Sequence, residues 1–279
     1  MPTYTTPSPV LASLELGVAT VSVTATDAAE STVEVLPSDP GRDGDRRAAE
    51  QTTVAFVGGR ITVRGPKARG LFGRPGSVEV IIQVPTGSRL SAESQVGPIR
   101  TVGRLGECRV RSGSGDIRLE DVGALDALTG NGLVEVRSVT GDATVRSGNG
   151  RVQLGPVTGN VVVKTGAGDS QVGDVGGDLR AASGYGDIVA GSVRGSVTAS
   201  SGFGAVRVGG LSHGHASLKT GKGDIEFGLV AGTAASLDVH TGFGRLRNAL
   251  DEVSGPDGSD RVVQVQARTG FGDVVVRRA

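Results

Sequence analysis

Five aspartates, Asp116, Asp169, Asp187, Asp224 and Asp273, each stand directly after the second glycine of a Gly-x-Gly step. Carboxylates repeated at fixed spacing suggest calcium, which takes six to eight oxygen ligands. The calcium-binding nonapeptide roll, however, places its Asp two residues past the last Gly of GGxGxD. Here the spacing is one residue, and Leu133, Arg151, Ala205 and Arg245 occupy the equivalent place in other copies. The expectation is therefore no metal, with each Asp bonding the amides of its own turn. The histidines add no ligand set: His213 and His215 share a turn without a third partner, and His240 is remote in sequence.

Two further columns emerge when the same steps are aligned. The middle residue of Gly-x-Gly runs Ser114, Asn131, Asn149, Ala167, Tyr185, Phe203, Lys222, Phe243, Phe271. Lys and Asn mark the position as facing water, so the rings in the later copies leave apolar area in solvent. Such area serves as a platform for sugar rings or a protein partner; the alternative is that the rings stack on one another over the turn glycines. The residue before each Ser/Thr runs Arg111, Leu128, Arg146, Lys164, Ala182, Ser200, Lys219, His240, Arg268. This is either a basic stripe for an acidic polymer or a solvated edge partly neutralised by the Asp column across the turn. The candidate binding residues are thus Tyr185, Phe203, Lys222, Phe243 and Phe271, flanked by Lys219, His240 and Arg268.

Other chemistry finds less support. No phosphate loop is present, and neither a Gly-x-Ser-x-Gly elbow nor a cofactor is expected. Polysaccharide-active β-helix enzymes (lyases or hydrolases), the alternative function, work with clustered carboxylates or basic residues in a long groove. Here carboxylates recur at turns in register, as a structural repeat requires. Cys108 is the single cysteine, hence without an internal disulfide, and reads as a small buried side chain. The 29 basic and 29 acidic residues balance, which argues against a general nucleic-acid or anionic-membrane surface.

The element that must carry these columns is a repeat. [Ser/Thr]-Gly-x-Gly begins at Ser112, Thr129, Ser147, Thr165, Ser183, Ser201, Thr220, Thr241 and Thr269, at intervals of 17, 18, 18, 18, 18, 19, 21 and 28 residues. A fixed period means units that cannot bury an apolar face alone and must stack. Each unit divides into two halves, a Gly turn and a short alternating run, as in SGYGDIVAG followed by SVRGSVTAS. Alternation with β-branched residues gives strands. The inward columns read Ile117/Leu119, Val134/Val136, Val152/Leu154, Ile188/Ala190, Val206/Val208, Ile225/Phe227 and Val274/Val276 in the first half. In the second they read Ala143/Val145, Val161/Val163, Leu179/Ala181, Val197/Ala199 and Ala216/Leu218. The predicted fold is an all-β parallel β-solenoid (β-helix) with rungs of about eighteen residues, two short strands per rung, and sheet order following chain order. Of eleven prolines only Pro156 lies between Ile99 and Gly255, at a turn, as central strands demand.

Residues 1–93 read as an N-terminal β-strand capping region continuous with the solenoid of residues 94–279, because an open end would leave unpaired strand edges. Residues 1–9 are expected to be loose, and 37–51 to form a mobile polar loop. Thr53–Val57 and Arg60–Arg64 are expected to form a hairpin across Gly58-Gly59. Gly65–Gly76 is a basic loop carrying Lys67, Arg69, Arg74, Leu71 and Phe72, and 251–260 reads as a protruding loop. No window approaches the ~18 apolar residues of a membrane span and no signal peptide is read, so a cytoplasmic location is expected.

The repeated SGxGDI…VxGD pattern, the opening LELGVATVSVTATD and the strand ending Val84-Pro85-Thr86-Gly87 resemble the DUF4097 family, the bacterial β-strand-repeat proteins called toastrack or putative-adhesin domains. That resemblance implies a β-solenoid, a link in some members to bacterial envelope stress, and no established catalytic residues. The function expected is a non-enzymatic binding scaffold with a protein or glycan partner.

Overall fold

A computed structural model describes residues 2–66, 76–250 and 261–279. The basic loop residues Lys67, Arg69, Leu71, Phe72 and Arg74, and the loop 251–260, lie outside the described residues. Two units are considered in turn, residues 1–140 and 141–279.

The first unit contains β1 (Thr3–Thr5), β2 (Leu11–Thr26), β3 (Glu30–Pro37), α1 (Asp43–Gln51), β4 (Thr53–Val57), β5 (Arg60–Arg64) and β6 (Ser77–Pro85). It continues with β7 (Arg89–Val96), β8 (Ile99–Val102), β9 (Cys108–Ser114), β10 (Ile117–Val122), β11 (Leu125–Asn131) and β12 (Val134–Val139). Parallel ladders run β7–β9–β11 on one side of the coil and β8–β10–β12 on the other. The long β2 serves both sides. Its first half lies between β5 and β7, and its second half between β6 and β8, all parallel. Antiparallel pairs β4–β5, β3–β6 and β1–β3 finish this end.

Two local expectations change here, and a third holds. Residues 37–51 are not a loop throughout, since α1 occupies 43–51. Its buried Asp45 accepts the amides of Asp39 (3.2 Å) and Ser77 (3.1 Å), and Ala48 is buried beside it. Thr3–Thr5, within the stretch expected to be loose, is a strand. The hairpin stands, with Gly58 and Gly59 at φ 57° and 73°, as a primed two-residue turn requires.

The second unit contains β13 (Ala143–Asn149), β14 (Val152–Leu154), β15 (Val161–Ala167), β16 (Ser170–Val172), β17 (Leu179–Tyr185), β18 (Ile188–Val193) and β19 (Val197–Phe203). It ends with β20 (Val206–Leu211), β21 (Gly214–Lys222), β22 (Ile225–Leu229), β23 (Thr233–Phe243), β24 (Leu246–Asn248), β25 (Arg261–Phe271) and β26 (Val274–Arg278). One side runs β13–β15–β17–β19–β21–β25–β23, all parallel. On the opposite side are the parallel ladders β14–β16–β18–β20–β22–β26–β24. The β-solenoid and its inward columns are as the repeat demands: every inward residue read from the sequence is buried. A third inward column, Val157, Val175 and Val193, is joined by single parallel bridges at a further corner.

Sheet order does not follow chain order throughout either unit. In the first unit β2 is inserted between β5/β6 and β7/β8. In the second, β25 and β26 are inserted between β21/β22 and β23/β24. The inserted strands are thereby hydrogen-bonded on both edges, while the chain segments before or after them are placed outermost.

A turn edge carrying rings and cations

Each Ser/Thr-Gly-x-Gly step turns the chain from one side of the coil to the other, and it also sets where side chains point. The Ser or Thr faces inward and the middle residue outward: Ser183, Ser201 and Thr220 are buried, whereas Tyr185, Phe203 and Lys222 are exposed. In four of the later steps the inward hydroxyl caps the neighbouring turn, whereas the hydroxyls of Ser112, Ser147 and Ser183 are buried without a hydrogen-bond partner. Ser201 Oγ donates to the Gly186 carbonyl (2.9 Å), Thr220 Oγ1 to Gly204 (2.8 Å), Thr269 Oγ1 to Gly223 (2.9 Å) and Thr241 Oγ1 to Gly272 (2.8 Å). A buried turn carbonyl without such a donor carries a desolvation cost, which accounts for the hydroxyl in the four capped steps.

The aspartates do not serve their own turns, contrary to expectation. Asp169 Oδ1 accepts the Asp187 amide (3.0 Å), Asp187 Oδ1 the Ala205 amide (2.8 Å), Asp224 Oδ1 the Asp273 amide (2.8 Å) and Asp273 Oδ1 the Arg245 amide (2.8 Å). Parallel register puts the equivalent amide of the next rung within reach, so each Asp ties rung to rung. A second such ladder runs Asp142, Asn160, Asp178, Ser196 at another corner, each side-chain oxygen accepting the next residue's amide at 2.7–2.9 Å. Nor do the aspartates neutralise the cation column. Asp116 and Asp187 pair with arginines two places past the Asp position, Arg118 (2.9 Å) and Arg207 (3.0 Å), and Asp169 and Asp273 with arginines in the Asp column itself, Arg151 (3.8 Å) and Arg245 (3.6 Å), whereas Arg268 pairs with Asp238 (3.3 Å).

The outward ring column is built by register. Tyr185 sits beside Phe203, Phe203 beside Lys222, Lys222 beside Phe271, and Phe271 beside Phe243. Tyr185 and Phe203 stack with centroids 5.1 Å apart and planes 4° apart; Phe243 and Phe271 stack at 4.9 Å and 7°. All four rings remain in water, at 62%, 53%, 71% and 55% exposure. Stacking and exposure, set as alternatives in the sequence, coexist. Lys222 stands between the two pairs. One row away on the same strands lie Lys219, Arg268 and His240, all exposed and laterally adjacent in that order.

Along the same outer face is a hollow of about 430 Å³ lined by Ser196, Thr198, His215, Gln264, Gln266 and Asp238, among others. These were missed in the sequence, although two-residue parity from Lys219, Arg268 and His240 places Ser217, Gln266 and Asp238 on this face. Gln266 Nε2 (3.1 Å) and then Arg268 hydrogen-bond Asp238 and hold its carboxyl below the usual range. Asp238 is the one carboxylate lining this hollow, whereas glycosidic hydrolysis uses two. Gly210-Leu211-Ser212-His213-Gly214 does have Gly-x-Ser-x-Gly spacing, contrary to expectation, and Ser212 Oγ lies 3.0 Å from His213 Nδ1. It joins two strands, however, rather than a strand to a helix, and the hollow beside it is lined by Ser192, Val193, Arg194 and Val230, without a carboxylate to orient the imidazole. Among the described residues no three His, Cys, Asp or Glu side chains converge on a metal position.

The family model for Toastrack DUF4097 matches residues 12–202. The chain belongs to the Toastrack DUF4097 family. Solved structures similar to this toastrack chain include a "putative cell adhesion protein" from Clostridium sporogenes (9% identity, 100% of this chain and 98% of that one, TM-score 0.28). Two more are the "putative adhesins" of Bacteroides fragilis (12% identity, 99% and 95% coverage, TM-score 0.44) and Parabacteroides merdae (12%, 99% and 94%, 0.39). No curated protein matches.

Elsewhere in the toastrack chain, Cys108 is fully buried, and burial pushes its thiol up to about 12. Among the described residues no helix is long and apolar enough to cross a membrane.

Proposed function

We propose that this toastrack chain is a non-enzymatic binding scaffold whose contact surface is the turn edge of Tyr185, Phe203, Lys222, Phe271 and Phe243 with the adjacent row Lys219, Arg268 and His240. The observation that carries this reading is the exposure of four of the chain's eight aromatic side chains in one line. Isolated exposed rings are ordinary, but a contiguous strip marks an interaction site. The stacking geometry narrows what fits. Within each pair the inner ring faces are consumed, so a partner meets mainly ring edges, which carry partial positive charge. With Lys222 between the pairs and the cationic row beside them, the surface suits a protein or glycan partner that sets acidic groups beside apolar area. The link of some family members to bacterial envelope stress extends this proposal to such a setting.

The test is capture from a native lysate by the full chain and by a variant with Tyr185, Phe203, Phe243 and Phe271 all replaced by Ser. The variant is expected to lose the captured partner while keeping its β circular dichroism, and added salt is expected to weaken wild-type capture. Equal capture by both chains sinks the proposal.

A further inference from the structure

Among the described residues, no strand pairs with the outer edge of the last rung of the second unit. β23 is 11 residues long, and β25 is its strand partner on one edge only. Its inward residues Ala235, Leu237 and Val239 are only half-buried, whereas the residues beside them one rung in, Val263, Val265 and Ala267, are buried. On the same rung Leu246 of β24 is 53% exposed. The outermost strands of the first unit are short by comparison, five residues in β4 and three in β1. Short edges are a common defence against unwanted pairing; proline and lysine are others, and β23 contains neither.

We propose that this rung is the interface of a homodimer, in which β23 pairs antiparallel with β23 of a second copy about a two-fold axis at Val239. This inference does not rest on the ring column being a partner site, although β23 carries His240 and Phe243 of that surface. A two-fold axis perpendicular to the sheet pairs residues whose numbers sum to an even value. The inward residues of the two copies then share one face and the two cores continue into each other. Charge selects among those registers. Centring on Asp238 sets two carboxylates opposite each other, and centring on His240 sets two imidazoles opposite each other. Centring on Val239 sets Asp238 opposite His240 twice, Leu237 opposite Thr241, and Val239 against itself. Like charges directly opposite are destabilising, whereas an aspartate opposite an imidazole can accept its ring N–H, so the edge is self-complementary in that register. A second copy also presents the same pleat and the same half-covered valine and leucine, which no unrelated surface supplies as a matter of course.

Sedimentation velocity of the full chain across roughly the micromolar range is expected to show a monomer–dimer equilibrium, since one strand edge and one half-covered rung make a small interface. His240→Asp places two aspartates opposite each other and is expected to weaken dimerisation about tenfold or more. The exchange Asp238→His with His240→Asp restores an acid opposite an imidazole, and keeps a carboxylate beside Arg268, so it is expected to recover the wild-type equilibrium. Circular dichroism melts of all three chains show whether the rung is still folded. As a second variant, Val239→Lys sets two lysines at the axis and is expected to give monomer. A wild-type chain that stays monomeric, a dimer indifferent to Val239→Lys, or an exchange variant no better than His240→Asp overturns the proposal.

Discussion

Phe271 is the lateral neighbour of Lys222, although the whole of β23 and β24 lies between them in the chain. Phe243, which precedes Phe271 in sequence, stacks on its far side. The final strand pair is therefore an insertion into the stack, and the rung made just before it becomes the end. β2 does the same in the first unit, where it lies between strands that follow it. Rungs that must receive a later or earlier strand cannot be completed by simple sequential growth, so the inserted strands add long-range contacts to a fold otherwise dominated by neighbours.

Cysteine pairs read this order directly. Neighbouring strands lie about 4.8 Å apart, within the Cα separation that a disulfide bridges, and strands two apart do not. Lys219→Cys with Arg268→Cys is expected to cross-link under mild oxidation, because the two positions are in register. Lys219→Cys with His240→Cys is expected to stay open. Buried Cys108 does not compete. The reverse pattern, read by non-reducing electrophoresis, would show that β23 rather than β25 lies beside β21.

Gly184 and Gly186 serve the same turn for different reasons. A Cβ on Gly184 would lie 2.6 Å from the Gly166 carbonyl oxygen, a matter of close approach. Gly186 has φ 139° and a Cβ there would also overlap the Gly168 carbonyl oxygen. Gly186→Val is expected to destabilise by more than about 1 kcal/mol, since a β-branched residue resists this backbone and the preceding rung, at Gly168, cannot retreat. An unchanged thermal midpoint would contradict the turn geometry.

How far the sequence reveals this follows from what repeats. The inward columns were legible because strand parity fixes them, and the exposed middle position because Lys222, Asn131 and Asn149 share a column with the rings. What stayed hidden depends on contacts between rungs. The steps at Thr241 and Thr269 have nearly the same residues, TGFG in each, so nothing local tells which one meets Lys222; the 28-residue interval between them was the single hint of altered order. The destination of each Asp was equally hidden. Own turn and next rung offer the same amide chemistry, and only parallel register brings the second within 3.0 Å. The helix at 43–51 escaped because its sequence DGDRRAAEQ has almost no apolar periodicity; buried Asp45 and Ala48 anchor it instead.

The Asp ladders commit carboxylate oxygens to protein partners. One carboxylate oxygen of Asp187 is committed to the Ala205 amide and the other to Arg207. A chelator is expected to leave the circular dichroism spectrum and thermal midpoint unchanged. Asp187→Ala, which strands the Ala205 amide, is expected to cost about 1–2 kcal/mol, and Asp187→Asn, which keeps an acceptor, about half that or less. A large loss of β signal on chelation would restore the calcium roll.

The stacked pairs make a last prediction about energy rather than binding. A buried ring cut back to a small side chain costs about 3–5 kcal/mol through transfer and cavity terms. Tyr185 and Phe203 are instead more than half exposed, so most of their area is in water whether or not the chain is folded. Their contribution to stability is then mainly the contact between them. Offset or parallel ring pairs contribute about 0.5–1.5 kcal/mol beyond burial. A double-mutant cycle of Tyr185→Ser and Phe203→Ser is therefore expected to give a coupling in that range, with either single change costing no more than about 1.5 kcal/mol. Because the neighbour on the other side of Phe203 is Lys222, the same cycle with Phe203→Ser and Lys222→Ser is expected to give a smaller coupling, as befits an exposed ring and ammonium. Urea unfolding of the six chains (wild type, the three single variants and the two double variants) measures both terms. A cost of several kcal/mol for either ring alone would show that the column is core, and would remove the exposed surface on which the binding proposal stands.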